Sequence, residues 1–226
     1  MKRFVTRALI VVAAILGMMF AQVAPASADP PDELTRDLAT LWTDVLQTKA
    51  SKNPAVNEDA GPACWNLGHR TVAQFGFVPN QPCTVKPGTN IFVAAYSGEC
   101  STFDNDCNRE TGPDPCTATT ADGLLACTRK IDAAHSPDAG LTVTLNGDPL
   151  EPLTEVDVPG LNIQLPEDNI FDALIEPTPK GKGLSSAHGW VYLIDQADLH
   201  PGSNEIVIND PILGTVTTTI IVTKGH

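Results

Sequence analysis

The stretch Leu141-Thr142-Val143-Thr144-Leu145-Asn146-Gly147 alternates apolar and polar residues and closes on a dipeptide whose two positions tolerate positive φ. Alternation at period two puts every second side chain on one face of an extended strand, so the segment predicts a strand running into a tight hairpin turn. Downstream the signal recurs. Residues 161–165, 190–194, 205–208 and 216–223 are short β-prone runs, the third and its predecessor separated by His200-Pro201-Gly202-Ser203. No internal repeat of fixed period is visible, and residues 176–187, with Pro177, Pro179, Gly181 and Gly183, predict a flexible loop. Short strands at regular spacing with turn residues between them predict an antiparallel sandwich.

Upstream, Ile91-Phe92-Val93-Ala94-Ala95-Tyr96 is β-branched and aromatic and long enough for a buried central strand. Between residues 64 and 88 the apolar pieces are shorter and are cut by Pro79, Pro82 and Pro87-Gly88. Two helices are expected. Leu34, Leu38, Leu41, Trp42, Val45 and Leu46 form one stripe at helical spacing, capped by Asp32 and ending near Lys49, which predicts a helix docked on the core. A second helix is expected over residues 121–134, with Leu124, Cys127 and Ile131 on one face. The fold class is therefore mostly β: an antiparallel β-sandwich with two packed α-helices.

All six cysteines fall between Cys64 and Cys127, at 64, 83, 100, 107, 116 and 127. Their number is even, no C-x-x-C occurs and no two histidines stand at i, i+4, so the spacing favours a disulfide framework over a metal site. Spacing alone does not choose among the possible pairings. An oxidising compartment agrees with the start of the chain: Lys2, Arg3 and Arg7 precede an apolar run over residues 8–20 and then Pro25-Ala26-Ser27-Ala28, a small-x-small cleavage site. That run is shorter than the roughly 20 residues a bilayer core needs. Residues 1–28 are thus expected to be a signal peptide. Residues 29–226 are expected to be one secreted domain without membrane insertion, in which a helix and disulfide-rich half, 29–140, precedes a cysteine-free β half, 141–226.

The formal charge is −13, with 27 acidic residues against 14 basic ones. Such a chain is repelled by phosphate backbones, which argues against nucleic acid as a partner.

Several short motifs carry a resemblance: Leu41-Trp42, Asn53-Pro54, Cys64, Cys83-Thr84-Val85-Lys86-Pro87-Gly88-Thr89 leading into Ile91-Phe92, Glu99-Cys100-Ser101, Leu124-Leu125-Ala126-Cys127 and Leu199-His200-Pro201-Gly202. In these the chain resembles a family of secreted bacterial β-rich proteins with no assigned activity. It departs from that family in having Trp42 without a paired Trp, and Asn66-Leu67-Gly68 where the family has Gln-x-Gly after the first cysteine. The resemblance implies a secreted β-rich fold and no mechanism. It also implies pairing of Cys64 with Cys83 and of Cys100 with Cys127, since these fall at positions the family fills. Cys107 and Cys116 look like additions within one polar insertion, and are expected to pair with each other.

Nucleophilic hydrolysis has little to stand on, because no G-x-S-x-G occurs and Ser97-Gly98 is the nearest approach to it. His188 lies near Ser185 and Ser186 on a segment expected to be an exposed loop. His69, His135, His200 and His226 are scattered, with no spacing that brings two together. Asp104-Asn105-Asp106-Cys107-Asn108 alternates oxygen ligands as a calcium loop does, yet Arg109 stands where such a loop needs Gly, and Pro115 where it needs Glu. No cofactor is expected, calcium being the one candidate. Trp65, beside Cys64, is expected to shield a disulfide.

Function is expected to be that of a secreted, non-catalytic binding or cell-envelope interaction protein, with an extracellular protein or a glycan as partner. The alternatives are an extracellular hydrolase using paired carboxylates and a protease inhibitor presenting loop 81–90. A ligand site is expected on a disulfide-braced loop over residues 97–115. There Glu99, Asp104, Asp106 and Asp114 offer acceptors around Arg109, suited to a cation, a basic protein patch or sugar hydroxyls.

Overall fold

The computed structural model describes residues 31–77, 81–103, 118–171 and 179–224. The expected signal peptide lies outside them. Helix α1 spans Pro31–Gln47, so it begins one residue before its expected cap. Strands β1 (Cys64–Gly68), β2 (Thr71–Gln74), β3 (Cys83–Val85) and β4 (Asn90–Ser101) follow, then helix α2 (Ala121–Asp132). The rest is strand: β5 (Thr142–Leu145), β6 (Asp148–Pro149), β7 (Thr154–Leu165), β8 (Gly181–Ile194), β9 (Gly202–Asp210) and β10 (Gly214–Val222).

These strands form two five-stranded sheets, ordered β1-β2-β4-β8-β7 and β3-β10-β9-β5-β6. The expectation of purely antiparallel pairing is corrected at two places, because β2 runs parallel to β4 and β3 parallel to β10. Both follow from β3: the chain leaves the first sheet after β2, contributes β3 to the second sheet, and returns as β4, a crossover that a hairpin cannot make. Elsewhere the hairpin logic holds. Asn146 and Gly147 take φ of 53° and 92°, the two left-handed positions of the turn between β5 and β6.

Two apolar clusters explain the sequence pattern. Ile91, Val93, Trp190 and Ile194 of the first sheet share a core with Val143, Ile206, Ile220 and Val222 of the second. On the other face of the first sheet, Phe92, Val156, Ala187 and Val191 meet the α1 stripe of Leu34, Leu38, Leu41, Trp42, Val45 and Leu46. Residues 91–96 read as a continuous apolar run because β4 is central and covered on both faces.

Three sequence expectations about local structure change. Residues 181–187, read as loop, are the first half of β8, which is paired over its length by β7 and through Ser185 by β4. Residues 97–101, read as the start of a binding loop, continue β4. On α2 the buried face is Leu124, Thr128 and Asp132 instead of Leu124, Cys127 and Ile131, since this helix covers polar residues of β8; the Thr128 hydroxyl is bonded to the carbonyls of Leu124 and Ser186.

Cys64 and Cys83 are bonded, tying edge strand β1 of the first sheet to edge strand β3 of the second. Cys127 is disulfide-bonded as well. A direct Cys100–Cys127 bridge is not among the bonds of the described residues; Cys100 is buried on β4, whereas Cys127 stands off the buried row of α2. Cys107 and Cys116 lie outside the described residues, and with them the pairing expected there. Trp65 does not cover the Cys64–Cys83 bond: adjacent strand residues face opposite ways, and its indole packs under α1 and donates to the Phe75 carbonyl at 2.8 Å. Among the described residues no helix is long and apolar enough to cross a membrane.

Candidate functional site

Strand β8 sorts its side chains by parity. Ala187 and Val191 face α1, which leaves Ser186, His188 and Trp190 on the opposite face, toward α2 and the second sheet. Pairing carries neighbours onto that same face: Gly98 of β4 and Asp157 of β7 lie opposite His188, and Tyr96 and Glu155 lie opposite Trp190. The last turn of α2 then lays Asp132 over Gly98.

His188 sits between two carboxylates. Its Nδ1 is 2.9 Å from Oδ2 of Asp132, and its Nε2 is 3.1 Å from Oε1 of Glu155. The exposures differ sharply, with the side chains of Asp132 at 0 %, His188 at 1 % and Glu155 at 59 %. A carboxylate at each ring nitrogen favours the doubly protonated ring, in which both nitrogens donate. Burial alone lowers the pKa of His188, but the hydrogen bonds to Asp132 and Glu155 and the charges of both outweigh it, so the net shift is upward. Burial raises the pKa of Asp132, and His188 and the Gly98 N–H, at 3.2 Å, offset only part of that. Both shifts have one meaning: this buried cluster holds its protons tightly.

A second imidazole–carboxylate contact adjoins the first. Nδ1 of His135, in the 3-10 turn after α2, is 2.8 Å from Oδ2 of Asp210 at the end of β9, and its ring stacks on Tyr96 at 3.7 Å between centroids. Burial, then the charges of Asp132 and Asp210, push the Tyr96 hydroxyl well above its ordinary range. Burial also works against the Asp210 carboxylate, but hydrogen bonds from the N–H groups of Leu213 and Ile212 and from His135 prevail and lower its pKa.

Outside this cluster lies a surface pocket of about 420 Å³, lined among others by Arg129, Ser136, Asp138, Glu155, His188 and Trp190. Its guanidinium is committed: Nε of Arg129 donates to Oδ1 of Asp157 at 2.7 Å, and Nη2 contacts Oδ2, a two-point fork. Ser136 uses its oxygen to accept from the Ala139 N–H. Glu155 and Asp138 thus remain as the carboxylates lining the opening, against an edge of Trp190 and the Leu153 side chain.

The residues expected to form a site fare differently. Glu99 lies on β4 facing α1, on the opposite side of the sheet from this pocket, and accepts from the Ser185 hydroxyl at 2.5 Å. Asp104, Asp106, Arg109 and Asp114 lie outside the described residues, as does the calcium-like run around them. Among the described residues no cluster of three His, Cys, Asp or Glu side chains could hold a metal ion. Ser97 is no nucleophile; its oxygen accepts from Trp42 Nε1 at 2.8 Å and donates to the His188 carbonyl at 2.7 Å. Within the segment 81–90, residues 83–85 form β3 with Cys83 and Val85 buried, and residues 86–89 are a turn.

His188, read as an exposed loop residue, is instead among the most buried side chains, and His135 comes to the same cluster although no spacing announces it. Two local signals were present. Asp132 completes an i, i+4, i+8 row with Leu124 and Thr128, and His188 continues the period-two row of Ser186 and Trp190.

Comparison of the chain with protein-family models, with curated proteins and with solved structures finds no match in any of the three. The resemblance to secreted bacterial proteins rests on the short motifs alone.

Proposed function

We propose that this is a secreted, non-catalytic binding protein built on a β-sandwich, and that the pocket between α2, β7 and β8 holds a hydroxylated ligand of the glycan class. One observation supports binding over hydrolysis by the His188 cluster: Asp132 is completely buried behind His188, so of the two carboxylates on the imidazole only Glu155 reaches the opening. His188 is equally ill placed as a base, since both ring nitrogens are engaged. What the pocket offers is fixed acceptors, Glu155 and Asp138, for hydroxyl donors, with Trp190 and Leu153 as an apolar wall for a ring face. The contact of Glu155 with the buried His188 ring reduces the ordering cost of binding.

The test is a glycan array with the mature protein, beside an assay for reducing-end release from the same glycans. Binding of a defined subset is expected, weakened about tenfold by Glu155→Gln, equivalent to about 1.4 kcal/mol, with no sugar released. Sugar release that disappears in Glu155→Gln would make the protein a hydrolase, and an array without a bound glycan would remove the glycan reading.

A further inference from the structure

A different end of the molecule carries the opposite charge. Two adjoining pockets, of about 450 and 530 Å³, share the turn over residues 86–89 as their common wall. One opens toward Gln196, Leu199 and the end of β10; the other opens toward β1 and β2, with Cys64 in its lining. Neither lining contains a single Asp or Glu, although the chain has 27 acidic residues. Both contain cations: Lys86 lines the two pockets, Arg70 the second and Lys224 the first. Among the described residues none of the three makes an ion pair. Asp195 and Asp198 flank Gln196 but stay out of the lining, Asp195 using its carboxylate to accept from the Ala197 N–H.

The backbone presents Arg70 at a cost. The β1–β2 turn places His69 and Arg70 at φ of 47° and 64°, positions that favour Asn and Gly, and the Asn90 N–H holds the Arg70 carbonyl at 2.8 Å. Gly88, at φ 86°, allows no side chain in the shared turn, where a Cβ would meet the Gln196 amide oxygen and approach Arg70 Nη1. The Arg70 guanidinium thus lies near the shared turn, and Lys86 lines both lobes. The Cys64–Cys83 bond joins the sheet edges beneath.

We propose that this two-lobed groove is an anion site, distinct from the α2 pocket, for a short ligand bearing two or more phosphate or carboxylate groups that straddles the turn at residues 86–89. A short ligand fits better than a long polyanion, because the patch offers three cations on a chain with 27 acidic residues against 14 basic ones, so a longer anion would run onto acidic surface. Arginine suits either oxyanion through its planar fork, and the lysines add point charge.

Isothermal titration of the full mature chain with tripolyphosphate, with trigalacturonate and with neutral maltotriose, at low and moderate salt, tests this. One-to-one binding of at least one anion is expected, the stronger arm identifying phosphate or carboxylate as the preferred group, with no heat from maltotriose in this groove. Affinity should fall as salt rises, and the slope of log K against log salt should drop by about one for each cation removed. The variant R70Q/K86Q/K224Q should bind at least tenfold more weakly while melting as the parent does, and Glu155→Gln should leave anion binding unchanged. Absence of binding by both anions, or equal binding by parent and triple variant, overturns the proposal. Loss of anion binding in Glu155→Gln would overturn it too, by placing the anion in the α2 pocket.

Discussion

Asp132 and His188, 56 residues apart in sequence, meet at 2.9 Å with side-chain exposures of 0 % and 1 %. This contact fastens the last turn of α2 to the middle of β8. A buried ion pair contributes little net stability relative to well-packed apolar residues, because desolvating two charges costs about as much as their attraction returns. Its removal is another matter. Deleting one member strands the other charge where water cannot reach it.

Replacing His188 with Leu should therefore destabilise the fold by about 3–5 kcal/mol, and Asp132→Leu by a similar amount. The double variant, with no charge left in the site, should cost clearly less than the sum. Urea denaturation of the three variants supplies the cycle, and a strictly additive double variant would mean that the two residues are not coupled.

Protonation of His188 should be visible by NMR. Its pKa lies above the ordinary 6.5, so the folded chain binds this proton more tightly than the unfolded one. The resulting stabilisation is complete below pH 6.5 and is lost as pH rises through the raised folded value. The imidazole resonance of His188 should titrate above 6.5, and Glu155→Gln should move it down. A titration below 6.5 would show that burial outweighs the two carboxylates.

Gly98 lies under the Asp132 carboxylate, to which it donates its N–H at 3.2 Å, and a Cβ there would overlap the carboxylate oxygens. Gly98→Ala should cost about 1–3 kcal/mol by lifting the end of α2. In an Asp132→Ala background most of that penalty should vanish. If it persists, the clash is with something other than Asp132.

Local chemistry made some of this architecture legible. The α1 stripe, the run at 91–96 and Asn146-Gly147 each state their structure within a few residues, by helical period, by a doubly buried strand and by a positive-φ pair. Residues 181–187 do not. Gly181, Gly183, Ser185 and Ser186 read as loop because their own propensity is weak, and they form strand because β4 and β7 pair with them. Small residues there have a packing reason: side chains at Gly183 and Gly189 would strike Phe103 and the Tyr96 carbonyl. The candidate site was hidden for a related reason. Asp132, Glu155 and His188 come from three elements, and only the pairing of β7 with β8 and the docking of α2 bring them together. The parallel pairs β2–β4 and β3–β10 likewise depend on a crossover that no local signal encodes.

Asp37 is a buried carboxylate with only a long contact to a cation. It is 1 % exposed, neither carboxylate oxygen has a hydrogen-bond partner, and Arg36 Nη2 stands 3.5 Å away. Burial raises its pKa above the ordinary 3.8, with Arg36 opposing in part. A raised folded value means that its contribution to stability is full below pH 3.8 and is lost as pH climbs through the raised folded pKa, so the ionised group is a liability at neutral pH. Asp37→Asn should stabilise the protein at pH 7 by roughly 1 kcal/mol, and the gain should disappear near pH 3. Equal effects at both pH values would refute the role of its charge.

Cys64 and Cys83 close a loop with a separation of 19 residues and join two edge strands of 5 and 3 residues. On the chain-entropy account such a bridge contributes about 3 kcal/mol. Its loss should not be felt evenly. β3 is held to β10 through three residue pairs, whereas β8 is paired along both sides. In the Cys64→Ala/Cys83→Ala variant, hydrogen exchange should accelerate in β1 and β3 at conditions where β4 and β8 stay protected. Because the turn at residues 86–89 follows β3 directly, tripolyphosphate or trigalacturonate affinity should fall in this variant, while glycan binding beside Glu155 should not. Uniform acceleration of exchange across both sheets would instead mean that the bridge stabilises the whole fold and leaves the groove no separate brace.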